Sequence, residues 1–345
     1  MSDAVRAALA SIVEGGSLSI DEARLAMGAV MDGEATPAQL AALLMGLRMR
    51  GETVDELAGF ALAMRERVLA VEAPDGTIDV VGTGGDGSGT FNISTAAALV
   101  VAAAGIPVAK HGNRAITSKA GSADVLDALG IRIDHDAVSA SEALRTDGFA
   151  FMFAPNFHPA MKHAGPTRRE IGVRTAFNLV GPLTNPAGAA RQLLGVGDAA
   201  VAPRMAEVAQ RLGTERTFVI HGAGIDELPL DDSGVLYHVG PDAIQRHDIP
   251  ASKLGLTVTP TSRLAGGTPE ENARTIEAIF RGEPGAKRDV VLLNAGAAFL
   301  VAGDVDQLEA GIEKAALTID AGLATDLLGR LRAERAAHVP EPATT

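Results

Sequence analysis

The sequence predicts a small N-terminal α-helical domain followed by a larger α/β domain with a central, largely parallel sheet. Three observations carry that class. Three S/T-x-x-E/Q capping boxes follow one another in the first 56 residues, with no strand signal among them. A strand, a glycine-rich loop, a helix and a second strand follow within about 35 residues from Thr77, which is a βαβ unit. Short apolar runs then alternate with helical patterns to the end of the chain. The division expected is residues 1–72, residues 73–335 and a flexible tail at 336–345.

In the first part the boxes run from Ser19 to Glu22, Thr36 to Gln39 and Thr53 to Glu56, with Pro37 at the first helical position of the second. Behind Thr36, residues Leu40, Leu43, Leu44, Leu47 and Met49 keep mainly helical spacing. Behind Thr53, residues Leu57, Phe60, Ala61 and Met64 do the same. Such helices bury one face, and part of that face is available to a partner subunit.

From Thr77 the pattern changes. Residues 78–81 read as a short strand, residues 94–104 as an apolar helix and residues 106–109 as the next strand, parallel to the first. Further strands are expected at 149–154, 192–196, 217–221 and 289–294, and helices at 199–212, 270–280 and 305–332. Ligands of such sheets bind beyond the carboxyl ends of the strands.

Composition narrows the function classes. Forty-three acids against 30 bases, a net charge of −13, argue against nucleic acid or an anionic membrane as main partner. An apolar content of 47% excludes disorder. The longest apolar run, residues 96–104, falls far short of the roughly 20 residues that span a bilayer. Asp3 and Glu14, with no apolar stretch between them long enough for a signal peptide, point to a cytoplasmic protein. With no cysteine, disulfides, thiolate metal sites and thiol nucleophiles are excluded.

Against that acidic background, residues 87–123 form a stretch of 37 residues without one Asp or Glu. It overlaps Gly82-Thr83-Gly84-Gly85-Asp86-Gly87-Ser88-Gly89-Thr90 and holds Asn92-Ile93-Ser94-Thr95, Lys110-His111-Gly112-Asn113-Arg114 and Lys119. Glycines, hydroxyls and bases are the groups that hold phosphates. Successive N–H groups of such a loop make an anion nest, and the following helix points its positive end there. One or two of Asn92, Ser94 and Thr95 are expected to cap that helix. Gly82, Gly84 and Gly87 also fit the dinucleotide fingerprint G-x-G-x-x-G, but that site needs an acid near the end of the second strand, where Lys110 and His111 stand. No Gly-Lys-Ser/Thr closes a Walker A loop. A purely structural turn would leave Asp86 and the dense hydroxyls unexplained.

Two further constellations follow. His158 and His163 lie five residues apart, the wrong spacing for one metal on a helix, and Arg168, Arg169 and Arg174 lie just beyond. An arginine in a cleft suits a carboxylate, although any one of them is as readily solvated or paired with Glu170. Asp226 and Glu227 leave an expected strand through His221-Gly222-Ala223-Gly224-Ile225, and adjacent carboxylates at a strand end suit Mg²⁺ bearing a pyrophosphate.

Together the Gly82–Asp86 loop, Asn92–Thr95, Lys110–Arg114, Gly121-Ser122-Ala123-Asp124, the run from Arg168 to Asn178 into Gly181-Pro182-Leu183-Thr184-Asn185-Pro186, and Asp226-Glu227 resemble the anthranilate phosphoribosyltransferase family over nearly the whole chain. The resemblance implies a fold of the nucleoside phosphorylase/phosphoribosyltransferase type. It also implies a homodimer formed through the helical domain, which a segment near 167–186 joins. The implied reaction transfers phosphoribose from phosphoribosyl pyrophosphate (PRPP) to the amine of anthranilate, an early step of tryptophan synthesis. Gly82, Gly85, Asp86, Thr90, Asn92, Ser94, Thr95, Lys110 and Ser122 match the PRPP site, with Asn113, Arg114, Ser118 and Lys119 expected near its phosphates. Gly82, His111, Asn113 and Arg168 match the anthranilate site, and Ser94, Asp226 and Glu227 the Mg²⁺ ligands. The visible departure is Ala120, where Ser is more usual.

No residue is singled out as a catalytic acid or base, because an arylamine loses its proton readily once bonded to carbon. Two alternatives have distinct signatures. A pyrimidine nucleoside phosphorylase-like enzyme would lack the Gly82–Asp86 loop and the acidic pair. A non-enzymatic nucleic-acid-binding relative would need a basic face.

Overall fold

The computed structural model describes residues 2–115 and 119–338. Four helices open the chain: α1 (Asp3–Val13), α2 (Ile20–Met31), α3 (Pro37–Arg50) and α4 (Val54–Arg65). The boxes at Ser19, Thr36 and Thr53 are all formed, each N-cap hydroxyl accepting the N3 amide while the Glu or Gln side chain reaches back to the N-cap amide. The remaining elements are β1 (Ile78–Gly82), α5 (Ile93–Ala103), β2 (Val108–Gly112), α6 (Ser122–Ala128), α7 (Ala137–Thr146), β3 (Phe149–Phe153), α8 (Ala154–Phe157), α9 (Gly165–Ile171), α10 (Ala176–Val180), β4 (Arg191–Gly195), α11 (Ala202–Arg211), β5 (Arg216–His221), β6 (Gly234–Val239), β7 (Ile244–Ile249), α12 (Pro269–Phe280), α13 (Ala286–Ala302), α14 (Leu308–Asp320) and α15 (Leu323–Ala337).

The seven strands form one sheet in the order β3-β2-β1-β4-β5-β6-β7. The first five are parallel, and β6 and β7 continue as an antiparallel hairpin at one edge. Alternate side chains face opposite layers, as the two-residue repeat of a strand requires. Leu193, Phe218 and Ile220 join the core formed with α5, α6 and α12 to α15. Leu194, Val196 and Val219 join a second core with α1 to α4 and α11. Ala164, Ala176, Phe177, Val180 and Leu183 belong to that second core, and Arg65 Nε donates to Leu183 O at 2.7 Å, so the chain from α9 to α10 packs on the helical part. Burial on both faces is why β3 reads as an apolar run rather than an alternating one.

The structure corrects several expectations. Residues 289–294 lie inside α13, not in a strand: Val290 to Phe299 are buried on every side of that helix, so helical and strand periodicity look alike there. Strand β2 starts two residues later than expected and takes in Lys110 and His111, so these are sheet residues and not loop residues. The pattern at 305–332 is two helices, parted at Gly322, which has φ of +78°. Helix α15 runs to Ala337, two residues into the expected tail; residues 339–345 lie outside the described residues. The hairpin β6–β7 is not predicted at all. Its outer strand is mostly polar, with only Ile244 and Ile249 at its ends as apolar residues.

Candidate functional site at the switch between β1 and β4

Chain order along the sheet reverses at β1, which has β2 on one side and β4 on the other, so a cleft opens beyond the carboxyl ends of β1 and β4. Those ends are Gly82 and Gly195, paired across the sheet. The chain leaving β5 crosses over them. A Cβ on Gly82 would lie 2.2 Å from Asp226 Oδ2, and one on Gly195 would lie 1.7 Å from the Asp226 carbonyl oxygen. Glycine is therefore required at both strand ends by the approach of Asp226. That approach is made by a tight turn in which Ala223 adopts φ of +50° and the Ile225 amide donates to Gly222 O at 2.9 Å.

Both carboxylates are tied to backbone of the phosphate-binding region. Asp226 Oδ2 accepts from the Gly84 amide at 2.8 Å, and Glu227 Oε1 from the Ser94 amide at 2.9 Å. Glu227 thus caps α5 from a distant loop, where a cap from Asn92, Ser94 or Thr95 was expected. The Asn92 side chain instead bridges loops: Nδ2 donates to Ala120 O at 3.2 Å and Oδ1 accepts from Asn272 Nδ2 at 2.9 Å. Thr95 Oγ1 is buried without a partner among the described residues. The sequence did not mark Asn294. Its buried amide on α13 accepts from the Leu228 amide at 2.9 Å and donates to Leu228 O at 3.0 Å, pinning the residue that follows the acidic pair. An asparagine inside an apolar helical run was its signal.

Burial pushes the Asp226 carboxyl up to about 6, and the Asp86 charge adds to the rise. Burial, and then the Asp226 charge, push Glu227 up to about 8. Two desolvated carboxyls side by side favour a cation between them. Among the described residues no three His, Cys, Asp or Glu side chains converge to hold an ion alone. The pair with Ser94 therefore suits an ion that completes its shell with water and phosphate oxygens, as Mg²⁺ does. The residues fit that group.

The glycine loop is held from inside and outside. Asp86 accepts from the Ser88 amide at 3.1 Å and its hydroxyl at 2.8 Å, and Ser88 Oγ lies 3.2 Å from Thr90 Oγ1. Arg174 donates to Gly84 O and, at 3.3 Å, to Thr83 O. Gly85 has φ of +61°, and a Cβ there would meet Arg174 Nη1 at 2.8 Å.

Beyond β2 the expected residues divide. Lys110 is buried, donates from Nζ to Val80 O at 2.5 Å, and has its pKa lowered by burial against the attraction of Asp79 and Glu227. Arg114 is committed to Asp124 at 2.8 Å and Asp127 at 3.3 Å, which leaves it an ion-paired neighbour of the loop. Asn113 O accepts from Ser122 Oγ at 3.4 Å, so those two close one turn. Lys119 is exposed, and Ser118 lies outside the described residues.

His111 and His158 meet Nε2 to Nε2 at 3.2 Å in a buried pair. Burial first, then each other's proximity for His111, push His111 down to about 3, and burial pushes His158 down to about 4, so both are neutral at pH 7. Arg168 is half-buried with its guanidinium 4.7 Å from the Phe177 ring centroid, and burial alone lowers its pKa, with no carboxylate paired to it among the described residues. It is a half-desolvated cation in want of an anion. Arg174, six residues further along the chain, grips the glycine loop.

Residues 74–325 match the glycosyl transferase family, a/b domain, and residues 6–68 the glycosyl transferase family, helical bundle domain. The chain is 49% identical to the anthranilate phosphoribosyltransferase of Pelotomaculum thermopropionicum over 95% of each chain, and 48% identical to that of Xanthobacter autotrophicus over 97% of this chain and 98% of the relative. Its fold is similar to the crystal structure of anthranilate phosphoribosyltransferase from Thermus thermophilus, with TM-score 0.90, 44% identity, and 97% of this chain and 100% of that one covered. It is also similar to the Saccharomyces cerevisiae enzyme in complex with PRPP and Mg, with TM-score 0.88, 26% identity, and 97% and 99% covered. On its helical and α/β parts alike, the chain belongs to the anthranilate phosphoribosyltransferase family.

Proposed function

We propose that the protein transfers the phosphoribosyl group of PRPP to the amine of anthranilate, giving N-(5-phosphoribosyl)anthranilate and pyrophosphate in tryptophan biosynthesis. The observation that carries this reading is the acidic pair locked onto the glycine loop through Gly84 and onto α5 through Ser94 at the sheet's switch point. We assign Gly82, Gly85, Asp86, Thr90, Asn92, Ser94, Thr95, Lys110, Asn113, Lys119 and Ser122 to the PRPP side of the site, with Arg114 as an ion-paired neighbour and Ser118 assigned from the family resemblance alone. Gly82, His111, Asn113 and Arg168 form the anthranilate side. Asp226, Glu227 and Ser94 would hold Mg²⁺, which neutralises charge on the departing pyrophosphate.

The loop amides from Gly85 to Gly87, between the Gly84 and Ser88 amides that Asp226 and Asp86 take, and the amino end of α5 present N–H donors to the same leaving group. Departure leaves positive charge on the ribose. Arg168 fixes the anthranilate carboxylate, and the neutral His111–His158 pair adds no competing cation beside the amine. Positioning and electrostatics supply the acceleration, and no side chain is needed as general base. A cytoplasmic homodimer built through the helical part is the assembly we propose; on that part Val13 and Met49 stand exposed at 85% and 84%.

The test is the disappearance of anthranilate fluorescence in the presence of PRPP and Mg²⁺, against a protein with no Trp. Loss of signal only when all three are present is expected. No turnover with any of them would refute the assignment.

A further inference from the structure

The segment from Leu264 to Asn272 buttresses the glycine loop, with Phe91 N donating to Leu264 O at 3.0 Å and Gly266 N to Gly89 O at 2.8 Å. The same segment forms one wall of a solvent-open cleft of about 670 Å³ between α12 and the start of α13. Its charged lining is Arg263, Arg274, Lys287 and Arg288 against Glu271 and Glu283. Ion pairs in this region use Arg288 with Asp320 and Arg281 with Glu277, and none among the described residues uses Arg263, Arg274 or Lys287. Glu271 is already spent on the Thr268 amide at 2.8 Å. Lys287 lies 5.5 Å from the Phe91 ring centroid, which holds its amine at the mouth of the cavity on the glycine-loop side.

On a protein of net charge −13 this local excess of cations is anomalous. It coincides with the amino end of the 17-residue α13, whose N-cap is Gly285 with no side-chain acceptor for the first-turn amides. Ala278 and Ile279 give the cavity an apolar floor, and its volume lies within the range of small-molecule sites. None of the described residues assigned to PRPP, anthranilate or the ion lines it.

We propose that this cavity is a second anion site, binding a small phosphomonoester. Its phosphate sits on the α13 amino end between Arg274 and Lys287, with Arg263 at the rim, and its organic body lies over Ala278 and Ile279. Charge-assisted bonds to two cations and helix amides are the chemistry such a group needs.

The test is backbone-amide NMR of the full-length protein titrated separately with inorganic phosphate and with phenyl phosphate. Saturable shifts of the Lys287 and Arg288 amides are expected, with tighter binding of phenyl phosphate. Arg274→Ala/Lys287→Gln should weaken that binding about tenfold or more, the value of one or two charge-assisted bonds. It should leave turnover of anthranilate, and any phosphate-induced shifts at Gly84 to Ser88, unchanged. Absence of saturable shifts at Lys287 and Arg288, or equal affinity in the double variant, would overturn the proposal and leave the transferase reading standing.

Discussion

Gly82→Ala is the substitution that most sharply probes how the acidic pair is placed. The added Cβ would stand 2.2 Å from Asp226 Oδ2 and 2.9 Å from its Cγ, whereas real Cβ atoms essentially never approach within 3.0 Å. The carboxylate must retreat by about 0.8 Å, the difference between those two distances. It cannot retreat by moving its backbone, because the Asp226 carbonyl already lies against Gly195. The side chain must rotate and give up the 2.8 Å bond from the Gly84 amide. A displacement near 1 Å in a positioning group lowers rate about a hundredfold, and loss of a charge-assisted bond lowers stability by about 1.5 to 3 kcal/mol. The assay is kcat from anthranilate fluorescence across a Mg²⁺ series, with a thermal melt alongside. Gly76→Ala is the control, since φ there is +76° but nothing lies within 4 Å, so it should lower the melting temperature and spare kcat. If Gly82→Ala keeps kcat within a few-fold of the parent at every Mg²⁺ concentration, the placement of Asp226 does not matter and the reasoning fails.

Arg168→Ala should raise the anthranilate KM about ten- to a hundredfold with little change in the PRPP KM, and Arg174→Ala, which releases Gly84 and Thr83, should do the reverse. Equal effects on both substrates from either variant would reject that division. Asn294→Ala should cost about 1 to 3 kcal/mol by stranding the buried Leu228 backbone, and should raise the Mg²⁺ requirement as well; a melt shift with unchanged Mg²⁺ dependence would limit Asn294 to stability. Burial holds His135 down to about 4 against an ordinary value near 6.5, so the folded state binds fewer protons than the unfolded state between those values. Stability from this residue is therefore fully present above pH 6.5 and falls by about 1.4 kcal/mol per pH unit as pH drops toward 4. In urea titrations from pH 4.5 to 6, His135→Gln should remove about that slope, and an unaltered slope would show that His135 is not the group involved.

The local grammar of the chain is legible where a residue's role is decided by its neighbours in sequence. Ser19, Thr36 and Thr53 cap the helices that their boxes specify, and the glycine loop sits between β1 and α5. Roles set by distant parts of the chain are not legible. The cap of α5 comes from Glu227, 133 positions away, because the loop beyond β5 folds over the switch point. Arg114 reads as a phosphate ligand in the sequence, but the fold brings Asp124 and Asp127 beside it; Lys110 reads as a loop cation, but β2 extends to Gly112. The strand expected at 289–294 fails for a related reason, since an all-round buried helix carries no amphipathic period.

The most direct test of the whole account is the Mg²⁺ dependence of Asp226→Asn/Glu227→Gln. Amide oxygens can still accept from the Gly84 and Ser94 N–H groups, and burial with mutual repulsion disfavours the native charges, so the variant should fold and melt no lower than the parent. Its turnover should fall by orders of magnitude at ordinary Mg²⁺ and recover only in part at far higher concentration, while anthranilate binding measured alone stays unchanged. A folded variant with near-normal turnover at ordinary Mg²⁺ would contradict the account, because the carboxylates at the switch point would then hold neither the ion nor the leaving group.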